Sequence, residues 1–425
     1  MNKDTKKTLL PALRFPEFQD TGEWGQVKLR ELAKRINAKN RGSKITRVLT
    51  NSAADGIVDQ RDYFDKDIAN QNNLEGYFVV DNGDYVYNPR VSNLAPVGPI
   101  SKNGLGTGVM SPIYSVFRFK NSDNRFYEQY FKTPNWHNYL RMVSNSGARH
   151  DRMSITHGDL MDMPLPAPCT KEQQKIADFL SSIDVLISAQ DQKVEALKAH
   201  KKGLMQKLFP QEGETGPRLR FPDFLNAGEW EEVALGEIAE IKLGKMLDKQ
   251  KHTKGRLLPY LNNMSVRWNE VNTSNLPQMY FADVELDRFG LKAGDVVVCE
   301  GGEPGRAAVW DGRLPDIKFQ KAIHRVRFNV PFDPRFLVLH LENLAGTTQF
   351  EMLFTGGGIK HLTMETFAQL KIPLIPHAEQ QKIADCLSSI DALISGHRQK
   401  LDSLKTHKKG LIQVLFPAAE AGAWV

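Results

Sequence analysis

The chain has 425 residues, 41% of them hydrophobic and 25% charged, a balance that fits folded globular domains and excludes disordered, collagen-like and membrane-embedded classes. That length exceeds one ordinary core and suits two or three domains. The 56 basic against 50 acidic residues leave a net charge of +6, which permits a polyanionic partner without demanding one. Near the start, Lys3, Lys6 and Lys7 precede only Leu9 and Leu10 before Pro11, and no long apolar run follows anywhere, so neither an export signal nor a membrane span is expected. Cys169, Cys299 and Cys386 stand too far apart for a disulfide framework or a cysteine zinc site, which fits a cytoplasmic location.

The first motif, Leu13-Arg14-Phe15-Pro16-Glu17-Phe18, returns as Leu219-Arg220-Phe221-Pro222-Asp223-Phe224, an offset of 206. Gly22-Glu23-Trp24 returns as Gly228-Glu229-Trp230. Residues 172–210 return as 379–417 with 28 of 39 positions identical, an offset of 207. The chain is therefore one unit written twice. Between the matching ends the two copies share little beyond scattered Gly, Pro and aromatic residues, so each unit combines a constant frame with a variable centre.

In the first centre, residues 28–47 hold eight basic side chains against Glu31 alone. Short strands are expected at 77–80, 84–87 and 113–119, separated by Gly and Asn/Asp turns. Near its end Gly147-Ala148-Arg149-His150-Asp151-Arg152 sets glycine beside cations, a pattern that suits a phosphate or a tight turn. Prolines at 164, 166 and 168 then lead into a helix for which Thr170 and Gln173 form a capping box. Ile176, Leu180, Ile183, Ile187, Gln190, Val194, Leu197, Lys201, Leu204 and Leu208 alternate in steps of four and three, the 3.5-residue period of a coiled-coil seam. At 1.5 Å per residue this helix spans about 50 Å, and Phe209-Pro210 ends it.

The second copy repeats the plan. Residues 242–256 hold six basic side chains against Asp248 alone, strands are expected at 295–299, 307–310 and 322–328, and Gly356-Gly357-Gly358-Ile359-Lys360-His361 stands near the end. The seam returns as Ile383, Leu387, Ile390, Ile394, His397, Leu401, Leu404, Lys408, Leu411 and Leu415. Both seams are polar at the same two steps, which disfavours slipped registers, and so narrow a seam on two similar helices predicts that they pair with each other. The spacing leaves parallel and antiparallel pairing open. Basic loops rich in Asn, Ser and Gly suit phosphate contacts together with base-edge hydrogen bonds.

Catalytic motifs fail by their context. Gly104-Leu105-Gly106-Thr107-Gly108 lacks the preceding hydrophobic strand and following helix of a dinucleotide loop. Asn88-Pro89-Arg90 lacks the second proline and the aromatic residue of an aminomethyltransferase motif. Asp223, Glu240 and Lys242 match a loose metal-nuclease spacing, but the first copy has no counterpart. No metal-ligand histidine spacing and no Ser, His and Asp set is evident, so the chain is expected to be non-catalytic.

Together, the doubled frame, the EQQKIAD and HKKGL segments of the helices, residues 84–90 (DYVYNPR), 108–112 (GVMSP), 300–306 (EGGEPGR) and 320–325 (QKAIHR) resemble the specificity subunit of type I restriction-modification enzymes across nearly the whole chain. The resemblance implies an α+β protein with an internal pseudo-two-fold repeat, in which two mixed α/β target recognition domains are joined by two long antiparallel coiled-coil helices. Domain 1 would take residues 1–168, helix 1 residues 169–210, domain 2 residues 211–376, helix 2 residues 377–417, and a tail 418–425. It implies a double-stranded DNA partner with an asymmetric bipartite site, two methyltransferase subunits docked on the helices, and restriction subunits beyond them. S-adenosylmethionine, ATP and Mg would sit on those partners, and this chain would bind no cofactor. The rod would then set the unread spacer between half-sites.

Because Arg suits bidentate contact with guanine, Asn suits adenine and Lys suits phosphate, the DNA-binding candidates are Arg90, Ser92, Lys102, Asn103, Arg149 and Arg152 in the first centre. In the second they are Asn262, Asn263, Arg267, Arg306, Lys321 and Lys360. Seam candidates for helix pairing are Ile176, Leu180, Ile183, Ile187, Leu197, Ile383, Leu387, Ile390, Ile394 and Leu404. Competing readings are a specificity subunit of a methyltransferase-only or type II-like system, a coiled-coil protein scaffold, and a self-contained nuclease using Asp223, Glu240 and Lys242.

Overall fold

The computed structural model describes residues 9–63, 74–144, 151–211, 213–247, 255–356, 358 and 360–417. They divide into two units, Met1–Asp191 with Gln399–Val425, and Gln192–Arg398. The division falls within the two longest helices, so each unit contains part of both. The expected tail at 418–425 lies outside the described residues.

In the first unit the chain runs through β1 (Gly25–Lys28), α1 (Leu29–Leu32), β2 (Ala33–Ile36), β3 (Leu49–Ser52), β4 (Gly56–Asp59), α2 (Gln60–Tyr63), β5 (Phe78–Val80) and β6 (Tyr85–Tyr87). It continues through β7 (Ile100–Lys102), β8 (Gly108–Met110), β9 (Ser115–Phe119), α3 (Arg125–Tyr130), α4 (His137–Val143), α5 (His157–Met161) and β10 (Pro164–Ala167) into α6 (Thr170–Leu208). The principal sheet has the order β2-β9-β6-β7. Its central strand is the Tyr85-Val86-Tyr87 run, buried at all three positions and paired antiparallel to β9 with Tyr85 opposite Phe117 and Val86 opposite Val116. Aromatic and β-branched side chains fill the pleat, and α3 with the turn between α3 and α4 covers one face with Phe126, Tyr130, Phe131 and Trp136.

The second unit contains β11 (Glu231–Ala234), α7 (Leu235–Ile238), β12 (Ala239–Leu243), β13 (Arg256–Leu261), β14 (Val266–Arg267), β15 (Glu270–Val271), β16 (Gln278–Phe281), β17 (Val296–Cys299) and β18 (Ala307–Val309). Then follow β19 (Lys318–Phe319), β20 (Ile323–Phe328), α8 (Pro334–Leu344), α9 (Thr348–Glu351), α10 (Met364–Ala368), β21 (Lys371–Leu374) and α11 (His377–Leu415). Its principal sheet has the order β12-β20-β17-β18, with Val296 opposite Val326. The strands expected from sequence lie within two residues of β5, β6, β9, β17, β18 and β20.

The two centres share little sequence, yet their principal sheets have matching strand orders. Each principal sheet runs from the strand after the short frame helix, through the last strand, to a central hairpin. Each is braced by an equivalent ion pair: Arg118 Nε donates to buried Asp84 at 2.5 Å, and Arg327 Nε donates to buried Asp295 at 2.7 Å. A second repeated brace ties centre to frame, because Arg125 donates to Asp178 at 2.6 Å and Arg335 donates to Asp385 at 2.7 Å.

Within the first unit, Ile176, Ala177 and Leu180 of α6 share a core with Ile412, Leu415 and Phe416. Within the second, Val194 of α6 packs with Ile390 and Ile394 of α11, while Met205 and Leu208 share a core with Ile383, Ala384 and Leu387. Ile183 is also buried, and Ile187, Leu197 and Leu404 are half-buried. The capping box needs correction. Thr170 already lies in the first turn, and Gln173 Nε2 donates to the Pro168 carbonyl at 2.9 Å. Gln380 does the same to Ile375 at 2.9 Å, so the repeated Gln ties each helix to its entering chain.

Candidate nucleic-acid interface

In the first unit, β6 ends in Asn88-Pro89-Arg90. Asn88 is buried, its Nδ2 donating to the Asn51 carbonyl at 2.9 Å and its Oδ1 accepting from the Arg90 N–H at 3.0 Å, and that pair of bonds fixes how the chain leaves the sheet. Gly98, at φ +79°, lies so close that a Cβ there would stand 1.9 Å from the Asn88 carbonyl oxygen. Arg90 is exposed and forms an isolated antiparallel bridge with Arg152, flanked by bonds from Val91 N–H to Asp151 O and from Met153 N–H to Pro89 O. The structure thus brings Arg90 and Arg152 onto adjoining backbone segments. Ser92 is exposed and closes a turn by accepting the Ala95 N–H on its hydroxyl at 3.2 Å. Arg149 lies outside the described residues.

Two candidates of this unit are engaged within the fold. Asn103 is fully buried, its amide donating to Asp81 O at 2.9 Å and Gly106 O at 2.8 Å while its oxygen accepts the Leu105 N–H, so it holds the loop together. Lys102 is drawn to Glu128 at 3.2 Å with its ammonium 5.9 Å from the Tyr85 ring centroid. The basic run at 28–47 is likewise partly neutralised: Lys28 and Arg30 face Asp162, and Arg47 pairs with Asp59 at 2.9 Å. Lys34, Arg35, Arg41 and Lys44 stay exposed with no carboxylate partner among the described residues.

In the second unit the 300–306 loop and the turn after β13 close on each other. Asn262 Oδ1 accepts from Met264 N–H at 2.9 Å and Ser265 N–H at 3.2 Å, shaping the turn. Arg306 donates to the Asn263 carbonyl at 2.8 Å and pairs with Glu303 at 2.5 Å, leaving its side chain only 11% exposed, so it clamps the two loops and is not a free reader. Asn263 reaches the Gly301 carbonyl at 3.5 Å, Arg267 is exposed on β14, and the bridge between Gly301 and His361 brings in the neighbouring Lys360, which pairs with Glu351. Half-buried Lys321 donates its N–H to Lys245 O at 2.7 Å beside the same loop. Asn262, Asn263, Arg306 and the segment of Lys360 are thus brought together around the 300–306 loop. Lys245 of the basic run is buried against Glu285 at 2.5 Å, and residues 248–254 lie outside the described set.

Electrostatics separates framework cations from surface ones. The Asp84 and Asp81 carboxylates raise the Arg118 pKa, and Asp295 raises that of Arg327. Arg325, in the motif that supported the resemblance, is 1% exposed and donates to Glu240 at 2.6 Å; burial lowers its pKa. Sequence reading missed the braces of Arg118 with Asp84 and of Arg327 with Asp295 because they join residues 34 and 32 apart; aligning Asp84 with Asp295 and Arg118 with Arg327 would have exposed them. Glu240 is thereby occupied by Arg325 and Lys242, and Asp223 by Lys382 at 2.8 Å. Among the described residues no group of His, Cys, Asp or Glu could hold a metal ion, and no helix is long and apolar enough to cross a membrane.

Two principal sheets of one strand order stand on a duplicated helical frame. Residues 227–406 match the family model described as the Type I restriction modification DNA specificity domain. By that match and by its relatives the chain is similar to type I restriction-modification specificity subunits. It is 28% identical over 266 residues to the type I restriction enzyme MjaVIII specificity subunit of Methanocaldococcus jannaschii, covering 60% of this chain and 61% of that relative's length. A chain from a structure on complex assembly and conformational transition of the type I R-M system superposes with a TM-score of 0.56 at 16% identity, over 93% of this chain and 98% of that one. The crystal structure of a type I restriction-modification S subunit from M. genitalium gives 0.54 at 15% identity, over 96% and 99%. At such identities these structures establish the shared fold.

Proposed function

We propose that the chain is the DNA-reading subunit of a type I restriction-modification complex, binding an asymmetric bipartite site on double-stranded DNA and positioning two methyltransferase subunits and the restriction subunits around it. The observation that carries this reading is the pair of principal sheets, β2-β9-β6-β7 and β12-β20-β17-β18, of one order but with different loops. One sheet order presents each loop set alike, and different loop residues favour different half-sites. In the first unit Arg90, Ser92, Arg152 and the exposed part of the 28–47 run would face DNA; in the second, Asn262, Asn263, Arg267, Lys321 and Lys360. An antiparallel coiled-coil pairing of α6 and α11, with a pseudo-two-fold repeat, is supported by the contacts of early α6 residues with late α11 residues and of late α6 with early α11. The adenine-methylating chemistry, with S-adenosylmethionine, and the ATP- and Mg-dependent cleavage belong in this reading to the partner subunits.

Single-molecule methylome sequencing of the host with and without the gene tests the proposal. Loss of one bipartite adenine-methylation motif, with two different halves, is the expected result. An unchanged methylome, in a host whose methyltransferase is expressed and co-purifies with the chain, would sink it.

A further inference from the structure

The second halves of the long helices carry the same tetrapeptide, His200-Lys201-Lys202-Gly203 and His407-Lys408-Lys409-Gly410. In each unit those turns floor a cleft of about 450 Å³. The helix side of the first cleft is Lys405, Lys408, Lys409 and Gln413, facing the loop of Lys132 and Thr133. In the second unit Lys198, Lys201, Lys202 and Gln206 occupy the positions 207 residues earlier and face Asn269 and Asn343. One element has thus been made twice, against two different recognition centres.

Its charges fall into two tiers. The inner ammoniums are compensated: Lys408 lies 2.5 Å from Asp184, and Lys201 lies 2.8 Å from Glu342 and 2.9 Å from Asp391. The outer ones are not. Lys405 and Lys409 in the first unit and Lys202 in the second are exposed with no carboxylate partner among the described residues. Lys405 and Lys409, four residues apart, lie on one helix face. The neutralised floor gives the cleft its shape, and the rim carries uncompensated positive charge suited to an anion.

The surroundings of the first cleft indicate which anion. Lys132, Thr133 and Pro134 also line a larger cleft of about 720 Å³, whose other walls include Leu94, Gly98, Lys102 and Leu105. The lining of that larger cleft includes Leu94 and Ala95, two and three residues after Ser92, so the helix lysines and the segment that follows Ser92 border adjoining clefts. A polyanion engaged there meets the helix rim by following the adjoining clefts, whereas an isolated acidic side chain of a protein would need no such continuity.

We propose that Lys405 and Lys409 in the first unit, and Lys202 in the second, hold backbone phosphates of duplex DNA beside the bases read by each unit. The proposal rests on the DNA-reading function above and adds a contact that supplies affinity without sequence preference. Lysine ammoniums on phosphates release condensed counterions, so such contacts leave a signature in the salt dependence of binding.

The test uses the complex co-purified with its methyltransferase, one duplex bearing the motif from the methylome and one scrambled duplex, with affinity measured over a salt series. For the Lys405→Gln and Lys409→Gln double variant the slope of log affinity against log salt should become shallower by roughly 2, and for Lys202→Gln by about 1, at about 0.9 per phosphate contact. Affinity should fall by the same factor on both duplexes, and Lys→Arg at each position should restore it. Unchanged slopes overturn the proposal, as does a loss confined to the motif duplex. Loss of the co-purifying methyltransferase with an unchanged DNA slope would make the cleft a protein-docking surface, also overturning it. A wild-type complex that binds both duplexes equally would instead defeat the specificity reading, and one that binds neither would defeat both.

Discussion

The Asp184 carboxylate accepts two hydrogen bonds from the Lys408 ammonium, at 2.5 and 2.6 Å. Moving each residue by 207 positions exchanges acid and base between the helices: Lys201 of α6 meets Asp391 of α11 at 2.9 Å. This accounts for one of the two polar steps in each seam. The Lys408 side chain is 10% exposed, and burial lowers its pKa even with Asp184 beside it, so the ammonium depends on its partner. Asp184→Ala should therefore destabilise the first unit by about 1–3 kcal/mol, the figure for a buried pair being reduced because Asp184 is 41% exposed. Replacing both residues by Leu should cost far less than the sum of the single changes. A double-mutant cycle by denaturant unfolding measures the coupling, and additive effects would show that the pair sets no register.

The frame is closed by a second repeated pair with less access to water. Arg14 grips both oxygens of Glu172 at 2.7 Å, and Arg220 grips Glu379 at 2.7 and 2.8 Å; the two glutamates are 1% and 0% exposed at their side chains. Each arginine also donates to a glycine carbonyl, Gly22 or Gly228, which secures the entering segment. Removing either arginine strands a buried carboxylate, so Arg14→Ala and Arg220→Ala should each cost about 3–5 kcal/mol. Lysine should rescue poorly, because it cannot make the bidentate contact. Thermal unfolding of the single variants checks this, and melting temperatures within a degree or so of wild type would refute it.

These two pairs show what the sequence made legible. Arg14 and Arg220 stood inside an evident repeat, and the long helices followed from the spacing of Ile176, Leu180 and Ile183 because a seam leaves a period. The strands around Tyr85 and Val296 were legible as short apolar runs between turn residues. Site chemistry was harder to read, since a polar residue in a loop has the same letter whether it faces DNA or holds the loop shut. Asn103 and Arg306 have hydrogen-bonding capacity suited to bases, and they use it within the fold, Asn103 on backbone carbonyls and Arg306 on the Asn263 carbonyl and Glu303. The matching sheet order of the centres was hidden because apolar strand positions accept many residues, and repeated ion pairs such as Asp84 with Arg118 and Asp295 with Arg327 mark the equivalence.

A pH dependence follows from His340. Five residues after Arg335 on α8, it lies against Phe209 with ring centroids 5.8 Å apart; in the first unit Tyr130, five residues after Arg125, lies 5.8 Å from Phe416. Burial pushes the His340 pKa down from 6.5 to about 4. Between those values the unfolded chain binds the proton and the folded chain does not, so this group's contribution to stability falls as pH is lowered through that window and is fully present above it. The shift corresponds to about 3 kcal/mol on an order-of-magnitude basis. His340→Phe should remove that share of the acid sensitivity while leaving the stability of the neutral protein within about 1.5 kcal/mol. Urea unfolding of both proteins across the window decides it, and identical acid slopes would exclude His340 as a source.

Arg90 and Asn103 provide the contrast that tests the recognition surface, because both were chosen for the same chemistry and the structure separates them. Arg90 is exposed beside Arg152, and its side chain makes no hydrogen bond or ion pair among the described residues. Arg90→Ala should leave the melting temperature unchanged and weaken binding by about 1–3 kcal/mol if it reads a base, with the loss confined to duplexes carrying the first unit's half-site. Asn103→Ala removes the bonds to Asp81, Gly106 and Leu105 from a fully buried turn, so it should lower stability by about 1–3 kcal/mol and alter affinity for all duplexes together. Binding to matched duplexes altered in one half-site at a time, alongside melting curves, distinguishes the two. A half-site-specific effect from Asn103→Ala in a protein of normal stability would return it to the reading surface, and equal losses on every duplex from Arg90→Ala would make that residue a phosphate contact.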